Sequence, residues 1–275
     1  MKKISIPATI VASIALTLTT AATAIAEDCT PKHEFTTIEP GILTVAVVSV
    51  APIITLKDGK LGGLEGMIIN KFAANECLEI KGMEIGGPGI IPSIQSKRAD
   101  MATGGWYRIK SRAKIVDMSH PTMLSKMALI SKDPDASYAD FKGKKVGTPQ
   151  GNLWVNDVQT YYGDSLRIYQ SFEQVYSDLR TGRLDAGIVP FELGETWGKT
   201  LEGFVTTTPQ GVPEIQASRQ DAQVGFPLVK GNPDFVAALD ANIREMHESG
   251  FIVEVLEAND LPAILQAKGE PTFID

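Results

Sequence analysis

The residues best suited to chemistry lie in three short stretches. Trp106-Tyr107-Arg108-Ile109-Lys110-Ser111-Arg112 sets two aromatic rings beside three cations. A planar guanidinium can grip a carboxylate through a bidentate fork that lysine cannot copy, and an aromatic face can stack on a flat group or a cation. Gly104 and Gly105, just before it, would let backbone groups approach a ligand closely. In the second stretch, Gln150-Gly151-Asn152-Leu153 follows Lys145 to Thr148, which reads as a strand. Asn152 suits the cap of a helix running to Tyr162, and backbone amides at a helix start favour an anion. Trp154, just beyond, suits either a cleft wall or a core. The third stretch carries Glu192 and Glu195, acids whose pKa burial would raise.

Other chemistries are poorly supplied. His33, His120 and His247 are far apart and in no metal-ligand spacing. No Ser-His-Asp set or Cys-His pair stands out, and Gly59-Lys60-Leu61-Gly62-Gly63 lacks the Lys-Ser/Thr of a phosphate loop. No cofactor is implied. The 26 basic residues, less Lys2 and Lys3 of a leader, face 33 acidic ones, for a net charge near −9. That balance argues against a nucleic-acid partner, which needs a basic surface.

Lys2 and Lys3, the apolar stretch Ile4 to Leu18 and the small-x-small Ala24-Ile25-Ala26 read as a signal peptide over residues 1–26, cleaved near Ala26. The apolar stretch is broken by Pro7 and Ser13 and falls short of the roughly 20 residues that a membrane span needs. An exported, soluble protein is expected, and a periplasmic location follows. Cys29 lacks the lipobox of a lipoprotein. In an oxidising compartment the even pair Cys29 and Cys77 suggests a disulfide tying the N-terminal tail to the first helix; two free thiols are the alternative.

The elements that must position these residues alternate. Leu43 to Val48 reads as a buried parallel strand, Met67 to Ala74 as a helix, residues 80–85 as a strand, and Ile91 to Ser96 as a short helix opened by Pro92. Met101 to Gly104 and Met127 to Ser131 follow as strands, with a helical turn or two over Lys110 to Val116. The rhythm restarts after Tyr138. Lys145 to Thr148, Leu166 to Tyr169 and Ala186 to Val189 are strands, with a helix over Val175 to Arg180. Val224 to Val229 is a late strand, and Pro233 to Glu248 an amphipathic helix terminated by Gly250. Strand–helix alternation predicts an α/β architecture in two halves.

Six segments in order carry a resemblance to the periplasmic amino-acid-binding proteins of ABC transporters, the family of histidine-, glutamine- and lysine/arginine/ornithine-binding proteins. They are Gly41 to Val47, Gly63-Leu64-Glu65, Ile91 to Asp100, Gly105 to Lys114, Phe141 to Gly147, and Gly182-Arg183-Leu184-Asp185-Ala186. The resemblance implies a two-lobed periplasmic-binding-protein fold of type II, with ligand in the interlobe cleft. Lobe 1 would comprise residues 27–131 and 224–275 and lobe 2 residues 132–223, with crossing segments near Ser131 and Gln223. It also implies an ABC permease and ATPase as partners, a small carboxylate-bearing ligand, and a monomer.

In that family the arginine matching Arg112 grips the ligand's carboxylate. Trp106, Tyr107, Gly104 and Gly105 would line the cleft, and Gln150, Asn152 and Leu153 would present backbone amides. The family's ammonium-binding Asp is absent: the strand Asp185 to Val189 ends in Pro190, and Glu192, two residues on, reaches the ligand only through a shifted loop. Ile53 and Leu64 stand where an aromatic lid is expected. A derivatised or non-standard amino compound, or an aromatic-compatible organic acid, is therefore expected over the plain amino acids. The expected function is solute capture for an ABC importer; the alternative is a secreted enzyme on the same fold, similar to cyclohexadienyl dehydratases, with Glu192 or Glu195 as general acid.

Overall fold

The computed structural model describes residues 29–267 and 269–274. The expected leader lies outside the described residues. The buried, β-branched run Ile42–Val47 is β1, and Thr55–Lys57 (β2) and Lys60–Gly62 (β3) form a hairpin. Then come Gly63–Asn75 (α1), Glu79–Glu84 (β4), Gly87–Gln95 (α2), Met101–Thr103 (β5), Lys110–Ala113 (α3) and Asp117–Met118 (β6). Met123–Ser125 (β7) leads into a second unit. It comprises Met127–Ser131 (β8), Val146–Pro149 (β9), Val155–Tyr162 (α4), Leu166–Tyr169 (β10), Phe172–Arg180 (α5), Ala186–Pro190 (β11), Phe191–Gly198 (α6) and Val205–Thr207 (β12). Ala222–Val224 (β13) brings the chain back to Pro227–Leu228 (β14), Pro233–Glu248 (α7) and Phe251–Ala258 (α8).

Two five-stranded sheets result, ordered β4-β1-β5-β14-β6 and β10-β9-β11-β8-β12. In the first, β1 runs parallel to β4 and β5; in the second, β9 runs parallel to β10 and β11. The inner strands β5, β8 and β11 are buried along their whole length, as expected where helices cover both faces of a sheet, while the edge strands β4 and β10 carry exposed charged residues. β7 and β13 pair antiparallel as a separate ribbon between the sheets, with Leu124 opposite Gln223 and Ser125 opposite Ala222. The sequence placed the first passage near Ser131. β8 is instead hydrogen-bonded along its full length to β11 in the second sheet, so the chain passes between sheets through β7, where Ser125 is buried.

Other boundaries also moved. α2 begins at Gly87 rather than at Ile91: Pro88 sits in its first turn, where a missing amide donor costs nothing, and Pro92 lies inside it. The long late strand splits into β13 and β14 around Gly225 and Phe226. Asn152 does not cap α4: Trp154 holds that place, with no side-chain cap bond, and Asn152 is turned elsewhere. Cys29 and Cys77 form the expected disulfide, with S–S 2.05 Å, between the tail and the residues just beyond α1. No helix among the described residues is long and apolar enough to cross a membrane.

Candidate ligand site between the two sheets

The site is assembled from the first turn of α1, the loop after β5, the β7 strand, the loop after β9 and the first turn of α6. The α1 turn is set by Gly63, where φ is +77° and a Cβ would lie 2.5 Å from the Pro52 carbonyl oxygen. Only glycine accepts both conditions. The Leu64 and Glu65 amides donate to the Pro52 and Ile53 carbonyls at 3.0 and 2.8 Å, which fixes Glu65 fully buried beneath the β5 loop. Its carboxylate accepts the Gly104 amide at 2.7 Å, the Gly105 amide at 3.2 Å and a close bond from the Thr103 hydroxyl. Positive φ at Gly104 and Gly105, +134° and +74°, turns those amides onto it. Burial raises the Glu65 pKa, and the three donors oppose that rise. The amides that the sequence reserved for a ligand are thus already used by Glu65.

Arg112, on α3, lies with its guanidinium 4.7 Å from the centre of the Trp106 ring, and its Nη1 makes a close bond to the Tyr107 carbonyl. Trp106 is half-buried and packs against the smaller apolar cluster built on Ala46, Ile90, Ile94 and Ala102. Burial lowers the Arg112 pKa to about 10, with Tyr107 opposing, so the side chain stays charged at neutral pH. Among the described residues no carboxylate forms an ion pair with it. A desolvated cation without an acid is costly, and a carboxylate-bearing molecule would relieve that cost.

Tyr107 joins the two units. Its hydroxyl donates to Asn152 Oδ1 at 3.1 Å, and its ring lies 6.2 Å from that of Trp154. Asn152 is held in turn by a bond from its Nδ2 to the Pro149 carbonyl at 3.2 Å, and Trp154 by a bond from Nε1 to Thr148 Oγ1 at 2.9 Å. Trp154 is fully buried against the second sheet while facing Tyr107. Of its two expected places, the core is the one its burial shows.

Glu192 sits in the first turn of α6, which starts as soon as β11 ends at Pro190. The Phe191 amide donates to the Lys126 carbonyl at 2.9 Å, anchoring that turn to the passage strand. Only 2% of Glu192 is exposed, and Ser125 Oγ donates to its Oε1 at 3.0 Å. Burial, with a smaller contribution from the charge of Glu65, raises its pKa to about 7. Burial also raises the Tyr107 pKa, with Glu192 adding to it, so the phenol stays a donor.

Arg112, Trp106, Tyr107, Gly104 and Gly105 therefore come together on one side, with Asn152 and Glu192 opposite. Gln150 and Leu153 stand apart. Gln150 is exposed and donates to Gln170 at 2.8 Å, and Leu153 packs against the core. Ser125 had no signal in the sequence, since only strand pairing brings it to Glu192. Glu65 did have one: it is an acid at the start of the apolar run Leu64 to Ile69.

The model for bacterial extracellular solute-binding proteins, family 3, matches residues 43–258. The L-cystine-binding protein TcyJ of Escherichia coli (strain K12) is 29% identical over 228 residues, covering 80% of this chain and 82% of that one. A probable histidine-binding protein of Campylobacter jejuni is 23% identical over 209 residues, covering 74% and 79%. Among solved structures, the substrate-binding protein of an amino acid ABC transporter superposes with a TM-score of 0.68 at 19% identity, over 79% of this chain and 98% of that one. An ancestral arginine-binding protein bound to arginine gives 0.66 at 23% identity, over 79% and 97%. The fold is the two-lobed type II fold of periplasmic binding proteins. The chain belongs to family 3 of the bacterial extracellular solute-binding proteins.

Proposed function

We propose that this protein captures an amino acid or amino-acid derivative between its lobes and delivers it to an ABC permease and ATPase. The observation that carries this reading is that Arg112, a half-buried cation with no acid partner among the described residues, and Glu192, a buried acid on the other unit, both face Tyr107. A zwitterion satisfies both: its carboxylate on Arg112 and its ammonium on Glu192, beside Ser125 and the Tyr107 hydroxyl. Charge-assisted bonds in a closed, water-poor cleft are strong. Glu192 thereby takes the part that Pro190 cannot, from the first turn of α6, which begins at once after β11.

The lobes in this reading are residues 29–122 with 225–274, and residues 127–221, joined by β7 and β13. Closure is the step that traps the ligand. The protein is a monomeric binding protein of the periplasm, exported with loss of residues 1–26, and it returns its ligand chemically unchanged. The named relatives support an amino-acid ligand through what they bind, cystine and histidine.

A thermal-shift screen tests this. It should hold the twenty standard amino acids, L-cystine, N-substituted and cyclic analogues, and aromatic acids. A true ligand stabilises by RT ln(1 + [L]/Kd), about 2.7 kcal/mol at a hundredfold excess over Kd. A stabilising ligand with both a carboxylate and an amino group is expected; a response only to compounds lacking a carboxylate would refute the proposal. Incubation with that ligand, followed by NMR, should return it unaltered. Turnover abolished by Glu192→Gln would make the protein an enzyme instead.

A further inference from the structure

We propose that the chain end, Glu270 to Ile274, together with Gln223 and Arg108 that hold it, positions the segment Trp106 to Arg112 for ligand capture. The inference rests on the ligand site proposed above. Gln223, on the β13 passage strand, uses both ends of its amide on the tail: Nε2 donates to the Glu270 carbonyl at 3.1 Å, and Oε1 accepts the Thr272 amide at 2.6 Å. Its own carbonyl accepts the Arg108 amide at 2.8 Å. The tail then runs beside the ligand segment, with the Ile274 amide donating to the Arg108 carbonyl at 3.1 Å and the Lys110 amide to the Ile274 carbonyl at 2.9 Å.

Arg108 is the centre of this knot. It is buried and makes no ion pair among the described residues. Its guanidinium donates to the carbonyls of Thr272 at 3.3 Å and Met118 at 3.2 Å, and closely to that of Ser119. The Phe273 ring centre lies 4.3 Å away. One side chain thus joins the ligand segment, the tail and the loop that enters β7. Tyr107 and Arg108 are successive residues with opposite duties, one reaching Asn152 and the other gripping the tail. A buried cation whose partners are backbone carbonyls is satisfied only while all of those segments stay in place. The tail is therefore coupled to the placement of Tyr107 and Arg112 although it does not reach the ligand.

The test compares the full chain with a chain ending at Gly269, Gln223→Leu and Arg108→Met, by hydrogen exchange and calorimetry. The reporters are the amides of Ala113, Ile115 and Val116, which bond to the carbonyls of Ile109 and Arg112 and make no bond to the tail. These should exchange about tenfold faster in the shortened chain and in Gln223→Leu, while amides of α1 and β9 keep their rates. Affinity for the tightest binder among L-cystine, L-arginine and L-histidine should fall about tenfold, with Arg108→Lys recovering part of what Arg108→Met loses. Unchanged exchange at the three reporters, or faster exchange with unchanged affinity, would overturn the inference. Should Arg108→Met fail to fold, the shortened chain and Gln223→Leu decide. Should none of the three amino acids bind, exchange decides, and only the ligand proposal is weakened.

Discussion

The Tyr107 hydroxyl reaches across the joint between the two sheets and donates to Asn152 Oδ1 at 3.1 Å. This bond links the two units through protein groups alone, with the Trp154 ring 6.2 Å from that of Tyr107. Replacing Tyr107 by Phe keeps the ring and removes the bond. The Tyr107→Phe protein should unfold about 1 kcal/mol more easily and populate an open form, seen as a larger radius of gyration in ligand-free solution scattering. Identical scattering curves would show that the bond does not hold the lobes together.

Glu192 makes stability depend on pH in a defined direction. Its pKa is raised from 4.5 to about 7 in the folded protein. Between those values the folded state holds a proton that the unfolded state has lost, so stability falls as pH rises from 4.5 towards 7. The loss amounts to about 3 kcal/mol at most. Glu65 shifts in the same direction, so the measurement is the difference between the full chain and Glu192→Gln. Urea titrations should show the full chain losing ground to Glu192→Gln across this window; parallel curves would argue against a protonated buried Glu192.

Ligand binding should show the opposite dependence. An ammonium needs the ionised carboxylate, so affinity for an amino acid should weaken as pH drops below 7, approaching about tenfold per unit. Calorimetry of the best amino-acid ligand at pH 5.5 and 8 checks this. Equal affinities would place the amino group away from Glu192.

The Cys29–Cys77 bridge spans 48 residues of sequence and ties the N-terminal segment to the end of α1. Opening it should cost about 2–4 kcal/mol, chiefly by freeing the unfolded chain. The paired substitution Cys29→Ser with Cys77→Ser should lower the melting temperature and leave ligand affinity unchanged. A tenfold loss of affinity would tie the N-terminal segment around Cys29 to the site.

Much of the fold was legible because its strands are buried on both faces. Ile42–Val47 and Ala186–Pro190 are short apolar runs opened by Gly41 and Asp185, and local sequence marks such runs well. The site was only half legible. Arg112, Trp106 and Tyr107 adjoin one another in the chain, so a motif finds them together. Ser125 and Glu192 meet through the geometry of β7, β11 and α6, which no short pattern records. The two glycine amides were expected to face a ligand, but the buried carboxylate of Glu65, some forty residues earlier, uses them. The passage near Ser131 was misplaced for a related reason. Met127–Ser131 reads as a strand equally well on either side of the joint, and only its pairing with β11 and β12 decides.

In the proposed function, Arg112 holds the carboxylate of a captured amino acid. Calorimetric titration of the full chain and of Arg112→Ala with the tightest-binding amino acid measures its part. Loss of a charge-assisted, desolvated pair should weaken binding by at least about 2 kcal/mol, roughly thirtyfold, while the melting temperature of the ligand-free protein changes little. Equal affinities in the two proteins would contradict the account, and would place the carboxylate, or the ligand itself, somewhere else.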